Sequence, residues 1–292
     1  MKFLINTFAL CFCFTLGTKA QEYPIFVTDQ GYILVEVTLC DSVRANFILD
    51  TGAGANVLSQ KTFDKIAGTA EESGHFTGFR HDGDRIDGIV YDLPSLAIGK
   101  KQQHHTRVGI YPPLDSYGVE GLVSMKFFED KPFTIDLKNK RLKFPQADEL
   151  EALAAGGTVI PLSFGIHTDI ALDIFIPLCL NDNTQVTALF DTGSGYGGLI
   201  LHPYYLSRLG IDSSAVETRP YRTPISQKDQ EDRIAALRSV DLCDPLAPAD
   251  LEMKDVRATF RDGMIHEALM GSGMFRDRAF TIDIPGARMI IH

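Results

Sequence analysis

The chain lacks several features that mark common classes of protein. It has no tryptophan, and five cysteines in 292 residues are too few for a small disulfide-stapled fold. Beyond residues 1–20, no apolar run approaches the roughly 20 residues that a membrane-spanning helix needs. Basic side chains are also outnumbered, with 28 Lys and Arg against 38 Asp and Glu, so nucleic acid is not an expected partner.

Residues 1–20 have the pattern of a signal peptide. Lys2 precedes an apolar stretch of about a dozen residues, and small residues stand at Thr18 and Ala20. A membrane anchor is the alternative, but the apolar stretch is too short to span a bilayer. We therefore expect cleavage after Ala20 and export to the periplasm or the exterior. The remaining 272 residues carry 26 basic and 38 acidic side chains, a net charge of about −12.

Signal cleavage would leave Cys40, Cys179 and Cys243. An odd number of cysteines argues against a disulfide framework. Cys40 and Cys179 precede two aspartates of interest, Asp50 and Asp191, by 10 and 12 residues. We predict that both cysteines are buried, small apolar residues on equivalent strands.

The main feature of the chain is an internal duplication. Asp50-Thr51-Gly52 recurs as Asp191-Thr192-Gly193, each time after an apolar, strand-like run. The 23-residue segments that begin at Leu122 and Leu269 also align without a gap and match at 8 positions. Each copy has the size of a small domain. We predict an N-terminal lobe over residues 22–147, a helical linker over 148–157 and a C-terminal lobe over 158–292.

Both lobes are expected to be mostly β-sheet with short helices. Alternating apolar residues predict strands from Tyr32 and from Ala171, and a hairpin joins 133–136 to 141–144. A short helix is predicted after each aspartate, capped by Ser59 in the first lobe and containing Pro203 in its first turn in the second.

Two aspartates that face each other can share one proton and so act as an acid and a base together. Such a pair can activate water for direct attack on a carbonyl group, and needs neither a metal nor a cofactor. The neighbouring residues suit such a site. Glycines allow tight loops, and threonine hydroxyls can form hydrogen bonds across a two-fold axis. Ser194 can hydrogen-bond Asp191, whereas its counterpart Ala53 has no hydroxyl to offer Asp50. The expected supporting residues are Thr51, Gly52, Thr192, Gly193 and Ser194.

These motifs resemble the aspartic peptidases of the pepsin and retropepsin superfamily, and most closely bacterial retropepsin-like proteins with a duplicated domain. Leu269-Met270-Gly271 matches the element that passes under the aspartate in that family. Lobe one departs from the pattern, because Ser124 stands where Gly is expected.

The resemblance implies an all-β, bilobed fold with pseudo-two-fold symmetry. Asp50 and Asp191 would be the catalytic pair of a monomeric endopeptidase that binds peptide or protein substrates in extended form. A β-hairpin flap from each lobe would close the cleft. One flap is expected from His75 onward, with its turn at Asp82-Gly83, and the other within the segment that follows Thr218.

Other functions fit the sequence less well. His75, His81, His104 and His105 have no accompanying set of metal ligands at a recognisable spacing. A polar surface loop is therefore favoured over a metal site. Asp82-Gly83-Asp84 lacks the other ligands of a calcium loop. The remaining rival is a catalytically silent module of the same fold that holds an extended peptide or a partner strand.

Overall fold

The computed structural model describes residues 21–167, 169–181, 184–212, 214, 216–221, 230–243 and 251–292, so the predicted signal peptide lies outside the described residues. The strands of the first half are β1 Gln21–Pro24, β2 Phe26–Val27, β3 Ile33–Leu39, β4 Val43–Leu49, β5 Val57–Leu58, β6 Glu71–Phe79, β7 Arg85–Ile98, β8 Lys101–Ile110, β9 Gly121–Val123, β10 Phe133–Asp136 and β11 Arg141–Phe144. Those of the second half are β12 Thr158–Pro161, β13 Ser163–His167, β14 Ala171–Leu180, β15 Thr184–Phe190, β16 Leu199–Leu201, β17 Glu217–Tyr221, β18 Gln230–Asp241, β19 Met253–Arg261, β20 Ala268–Met270, β21 Ala279–Asp283 and β22 Arg288–Ile291.

These strands form two similar lobes and a sheet that joins them. Lobe one is the sheet β2-β3-β4-β9-β5-β8-β7-β6, and lobe two is the sheet β13-β14-β15-β20-β16-β19-β18-β17. The two strand orders correspond position by position, so the all-β, bilobed architecture expected from the sequence is confirmed. Buried residues alternate with less buried ones along β3 and β14, so one face of each sheet packs into the core.

The joining sheet has the order β1-β11-β10-β21-β22-β12. Its centre is the antiparallel pair β10 and β21, in which Thr134 lies opposite Thr281. The two buried hydroxyl groups are 2.7 Å apart, so the pseudo-two-fold axis passes between the same residue of each copy. Equivalent residues of the two halves therefore meet at the centre of this sheet.

Three short helices lie where the sequence predicted them: α1 Gln60–Asp64, α2 Ala147–Gly156 and α3 Tyr204–Arg208. The Ser59 hydroxyl caps α1 by accepting a hydrogen bond from the Thr62 amide at 3.2 Å. Pro203 stands just before α3, and Gly210 follows it with a left-handed φ of +66°.

The prediction for Cys179 is wrong, because Cys179 and Cys243 form a disulfide with their Cα atoms 4.9 Å apart. The pairing joins β14 to the end of β18, which is its neighbour in the sheet. Cys40 is free, partly buried, and lies in the turn after β3. Its counterpart is Asn181 rather than Cys179, since both have a φ of 49° and donate their amide to the equivalent carbonyls of Ser95 and Ser239. The number of residues between each cysteine and its aspartate does not reveal that the two cysteines occupy different positions.

None of the helices described is both long and apolar enough to cross a membrane.

Candidate active site

Each lobe presents one aspartate in the loop that follows a central strand. Asp50 follows β4 and Asp191 follows β15. Their amides donate to the carbonyl oxygens of Val123 in β9 and Met270 in β20, at 2.9 and 2.8 Å. Since β9 and β20 run parallel to β4 and β15, each aspartate is fixed at the same point of its sheet.

Reciprocal hydrogen bonds between Thr51 and Thr192 hold the two loops together. The Thr51 amide donates to Thr192 Oγ1 at 3.1 Å, and the Thr192 amide donates to Thr51 Oγ1 at 2.9 Å. Each hydroxyl then donates to the strand of the opposite lobe, from Thr51 to the Phe190 carbonyl at 2.5 Å and from Thr192 to the Leu49 carbonyl at 2.7 Å. Both threonines are fully buried, so these four bonds are shielded from water.

The glycines that follow the threonines bring the two acids close. A Cβ atom on Gly193 would lie 2.4 Å from the Asp50 carboxyl carbon, and one on Gly52 would lie 2.5 Å from that of Asp191. Each carboxyl group therefore packs directly on the other lobe's loop. Neither glycine has a positive φ, so space and not backbone freedom requires glycine at these two positions.

The two carboxyl groups have different partners. Asp50 Oδ1 accepts the amides of Gly52 and Ala53, both at 3.0 Å. Asp191 Oδ1 accepts the Ser194 amide at 3.1 Å, and Asp191 Oδ2 also accepts the Ser194 hydroxyl at 2.6 Å. The asymmetry expected from Ala53 and Ser194 is therefore present as a hydrogen bond on one side.

The pKa of Asp50 is raised well above its usual value. Burial of the carboxyl group is the largest cause, followed by the negative charge of Asp191 and a hydrogen bond between the two side chains. The amides of Gly52 and Ala53 act in the opposite direction without cancelling the rise. A proton on Asp50, shared with Asp191, is thus favoured at pH values where an isolated aspartate has lost it.

The structure shows how lobe one accommodates Ser124 in place of glycine. Ser124 and Gly271 have similar backbone angles, with φ of −93° and −75° and ψ of 174° and 178°. At Gly271 a Cβ atom would lie 2.4 Å from the Gly197 carbonyl oxygen. At Ser124 the side chain fits and its hydroxyl lies 3.3 Å from Asn56 Oδ1. The departure from the family pattern is therefore local.

The predicted flap of lobe one is the hairpin of β6 and β7. Its turn is closed by hydrogen bonds from the Arg80 amide to the Asp84 carbonyl and from the Gly83 amide to the Arg80 carbonyl, both at 2.9 Å. In lobe two, β17 and β18 form the corresponding pair, and the segment between them, residues 222–229, lies outside the described residues.

The sequence did not predict which residues of lobe two contact the flap of lobe one. Arg261 and Asp232 form a buried ion pair beside the flap turn. They lie 29 residues apart on adjacent strands, so no local motif connects them. His81, one of the four histidines named above, lies in the lobe-one flap turn, within hydrogen-bond distance of Arg261. In the described part of the chain, the one group of metal-type donors is Cys179, Asp241 and Cys243, and its two sulfurs are already joined.

Comparison with known proteins agrees with the fold described above. Residues 35–127 match the sequence model of a family described as aspartyl protease. No curated protein matches the chain significantly in sequence.

Among solved structures, basic 7S globulin from soybean superposes with a TM-score of 0.54 at 11% identity, over 93% of this chain and 94% of the globulin. A retropepsin-like aspartic protease from Rickettsia conorii gives a TM-score of 0.33 at 20% identity, over 47% of this chain and 89% of its own. The chain therefore has a bilobed fold of the pepsin and retropepsin type, and part of its first lobe matches the aspartyl protease family model.

Proposed function

We propose that the protein is an aspartic endopeptidase in which Asp50 and Asp191 activate a water molecule. The observation that supports this best is the meeting of the two acids across the lobe interface, with the pKa of Asp50 raised by burial and by Asp191. A pair that shares one proton provides the acid and the base that peptide hydrolysis needs.

In the proposed reaction, Asp50 holds the proton and Asp191 is the carboxylate. Asp191 takes a proton from water while the water oxygen attacks the peptide carbonyl carbon, and Asp50 gives its proton to the carbonyl oxygen. Asp191 then protonates the amide nitrogen as the C–N bond breaks, and Asp50 recovers a proton from the tetrahedral diol. The products are a carboxylic acid and an amine, and the pair returns to its starting state.

The Ser194 hydroxyl supports this assignment of roles. A hydroxyl that donates to Asp191 Oδ2 stabilises negative charge on that oxygen. In the described part of the chain no hydroxyl donates to Asp50 in this way, because Ala53 stands at the equivalent position and offers its amide alone. The neutral acid and the charged base are thereby assigned to different lobes.

We further propose that substrates lie extended between the lobes, beneath the flap of β6 and β7, and that one chain forms the complete site as a monomer. Strand-like peptides suit a cleft bordered by hairpins, since main-chain hydrogen bonds can form along both sides. We also propose cleavage of the signal peptide after Ala20 and export. The Cys179–Cys243 disulfide supports export, because disulfides persist in oxidising compartments.

The test replaces each acid with its amide. Asp50→Asn and Asp191→Asn are incubated with a mixed peptide library, and cleavage is read by mass spectrometry with and without a pepstatin-type transition-state analogue. Asp148→Asn, an exposed change on α2, serves as the matched control.

We expect wild type and Asp148→Asn to cleave and to be inhibited, and both active-site variants to lose at least about 1,000-fold in rate, as removal of an essential acid or base implies. Equal cleavage by all four proteins would refute the proposal. Peptide binding without cleavage at any pH between 3 and 8, retained in both variants, would favour the silent binding module.

A further inference from the structure

The flap turn of lobe one rests directly on lobe two. The Ile265 amide donates to the His81 carbonyl oxygen at 3.3 Å. Gly83 packs against the Gly263 carbonyl, where a Cβ atom on Gly83 would lie 2.7 Å from the oxygen. The loop between β19 and β20 is therefore the platform on which the flap tip lies.

A buried arginine stands beside this platform. Arg261, at the end of β19, donates from Nε and Nη2 to the two oxygens of Asp232 in β18, both at 2.7 Å. Arg261 is 5% exposed and Asp232 is 2% exposed. The guanidinium also lies over the Tyr221 ring, 3.5 Å from its centre. These contacts fix its orientation and leave Nη1 directed at the flap.

The contact from Arg261 to the flap is made to a histidine ring. Arg261 Nη1 lies 2.9 Å from His81 Nε2. Because arginine stays protonated, Nη1 must donate and Nε2 must accept. The closed flap thus requires a neutral His81 with its proton on Nδ1.

We propose that Arg261, held by Asp232, is a positioning residue that closes the lobe-one flap over Asp50 and Asp191 through neutral His81, and that acid releases this contact. The inference rests on the proposed function, since closure matters for catalysis at this pair. It goes beyond that function by naming the residue that sets closure and the condition that reverses it.

The electrostatics around His81 give the sign of the pH effect. Burial is the largest cause that lowers its pKa, and the charge of Arg261 comes next; Arg80 acts in the same direction, while Asp82 and Asp191 oppose it without cancelling the effect. Among the described residues of lobe two, Asp232 and Tyr221 also lie beside this contact, since both pack against the Arg261 guanidinium. Since the closed flap favours neutral His81, closure is fully stable above the ordinary histidine pKa of about 6.5 and weakens as the pH falls below it.

Asp82 makes the closed state easy to reverse. The residue is 1% exposed, its Oδ1 lies 3.7 Å from Arg80 Nε, and its Oδ2 has no hydrogen-bond partner among the described residues. Opening would hydrate this oxygen, which favours release once the histidine contact is lost. Hydration of Asp82 therefore adds to the effect of losing the histidine contact.

The experiment measures hydrogen exchange of the flap amides, residues 79–86, by mass spectrometry at pH 7.5 and pH 4.5, corrected for intrinsic exchange rates. The variants are His81→Gln, whose side-chain oxygen can accept from Arg261 without titrating, His81→Leu, which cannot accept, and Arg261→Lys. His75→Gln, an exposed change on the same hairpin, is the matched control.

We expect protection of the flap in wild type and His75→Gln to fall about tenfold at pH 4.5, the ratio typical of one lost hydrogen bond to a charged group. His81→Gln should keep its protection at both pH values, while His81→Leu and Arg261→Lys should lose it at both. Equal protection in all these proteins at both pH values would overturn the proposal. A loss in His81→Gln as large as in His81→Leu would also overturn it, by reducing His81 to a packing residue.

The same exchange is measured in Asp50→Asn, which separates this inference from the proposed function. If protection of the flap amides still depends on His81 in this inactive variant, the contact between His81 and Arg261 controls the flap even if the peptidase proposal is wrong. In the active enzyme, His81→Gln should flatten the acid side of the kcat/KM profile, and Arg261→Lys should change kcat/KM at neutral pH. An unchanged profile in both, with normal cleavage, would refute the catalytic role of closure.

Discussion

The reciprocal threonine bonds at the lobe interface give the sharpest test of how the site is held together. Thr51 Oγ1 accepts from the Thr192 amide and donates to the Phe190 carbonyl, and the residue is fully buried. Thr51→Val keeps the shape of the side chain and leaves both main-chain groups without this partner. Each buried group left without a partner costs about 1–3 kcal/mol, so for the two groups we expect a loss of about 2–6 kcal/mol in the free energy of unfolding.

Two other variants serve as controls. Thr51→Ser keeps the hydroxyl and removes one methyl group, which costs about 1 kcal/mol. Thr106→Val makes the same chemical change at a buried threonine whose hydroxyl has no hydrogen-bond partner in the described structure, so it should be neutral or slightly stabilising. Because the chain has no tryptophan, urea unfolding is followed by circular dichroism. If Thr51→Val proves as stable as Thr51→Ser, the hydrogen bonds do not hold the interface as argued.

Three further predictions follow from the same structure. Asp50→Asn should be more stable than wild type at pH 7 and no more stable at pH 3. The reason is that a raised pKa of Asp50 in the folded protein lowers stability as the pH rises above the unfolded-state pKa of about 3.9. Equal urea midpoints at pH 7 would contradict this prediction. Replacing both Cys179 and Cys243 with Ser should cost up to about 4 kcal/mol for a separation of 64 residues, seen as a lower urea midpoint that wild type shares only after reduction. Gly271→Ala should cost about 2 kcal/mol or more because its Cβ meets the Gly197 carbonyl, whereas Ser124→Gly should cost about 1 kcal/mol, and the reverse order would show that the two lobes pack differently here.

Much of this molecule could be predicted from local patterns that repeat. The strands β3 and β14 follow from alternation, and Ser59 identifies the start of α1 because capping is a property of a few consecutive residues. The closeness of Asp50 and Asp191 could be expected because Asp-Thr-Gly occurs once in each half of the chain, and a two-fold arrangement can bring two such loops together.

The features that were missed depend on pairs of residues far apart in sequence. Cys179 and Cys243 are 64 residues apart, and an odd cysteine count argued against pairing when one cysteine was simply free. The ion pair of Asp232 and Arg261 depends on the register of β18 against β19, which no short motif specifies. The flap contact of His81 depends in turn on that pair.

The central claim is that one chain forms one complete site from its two halves. It is tested most directly by active-site titration with a tight-binding transition-state analogue, combined with sedimentation to measure the mass of the active species. We predict one inhibitor per monomeric chain, and no recovered cleavage when Asp50→Asn and Asp191→Asn are mixed. One inhibitor per two chains, or cleavage restored by mixing the two variants, would contradict it.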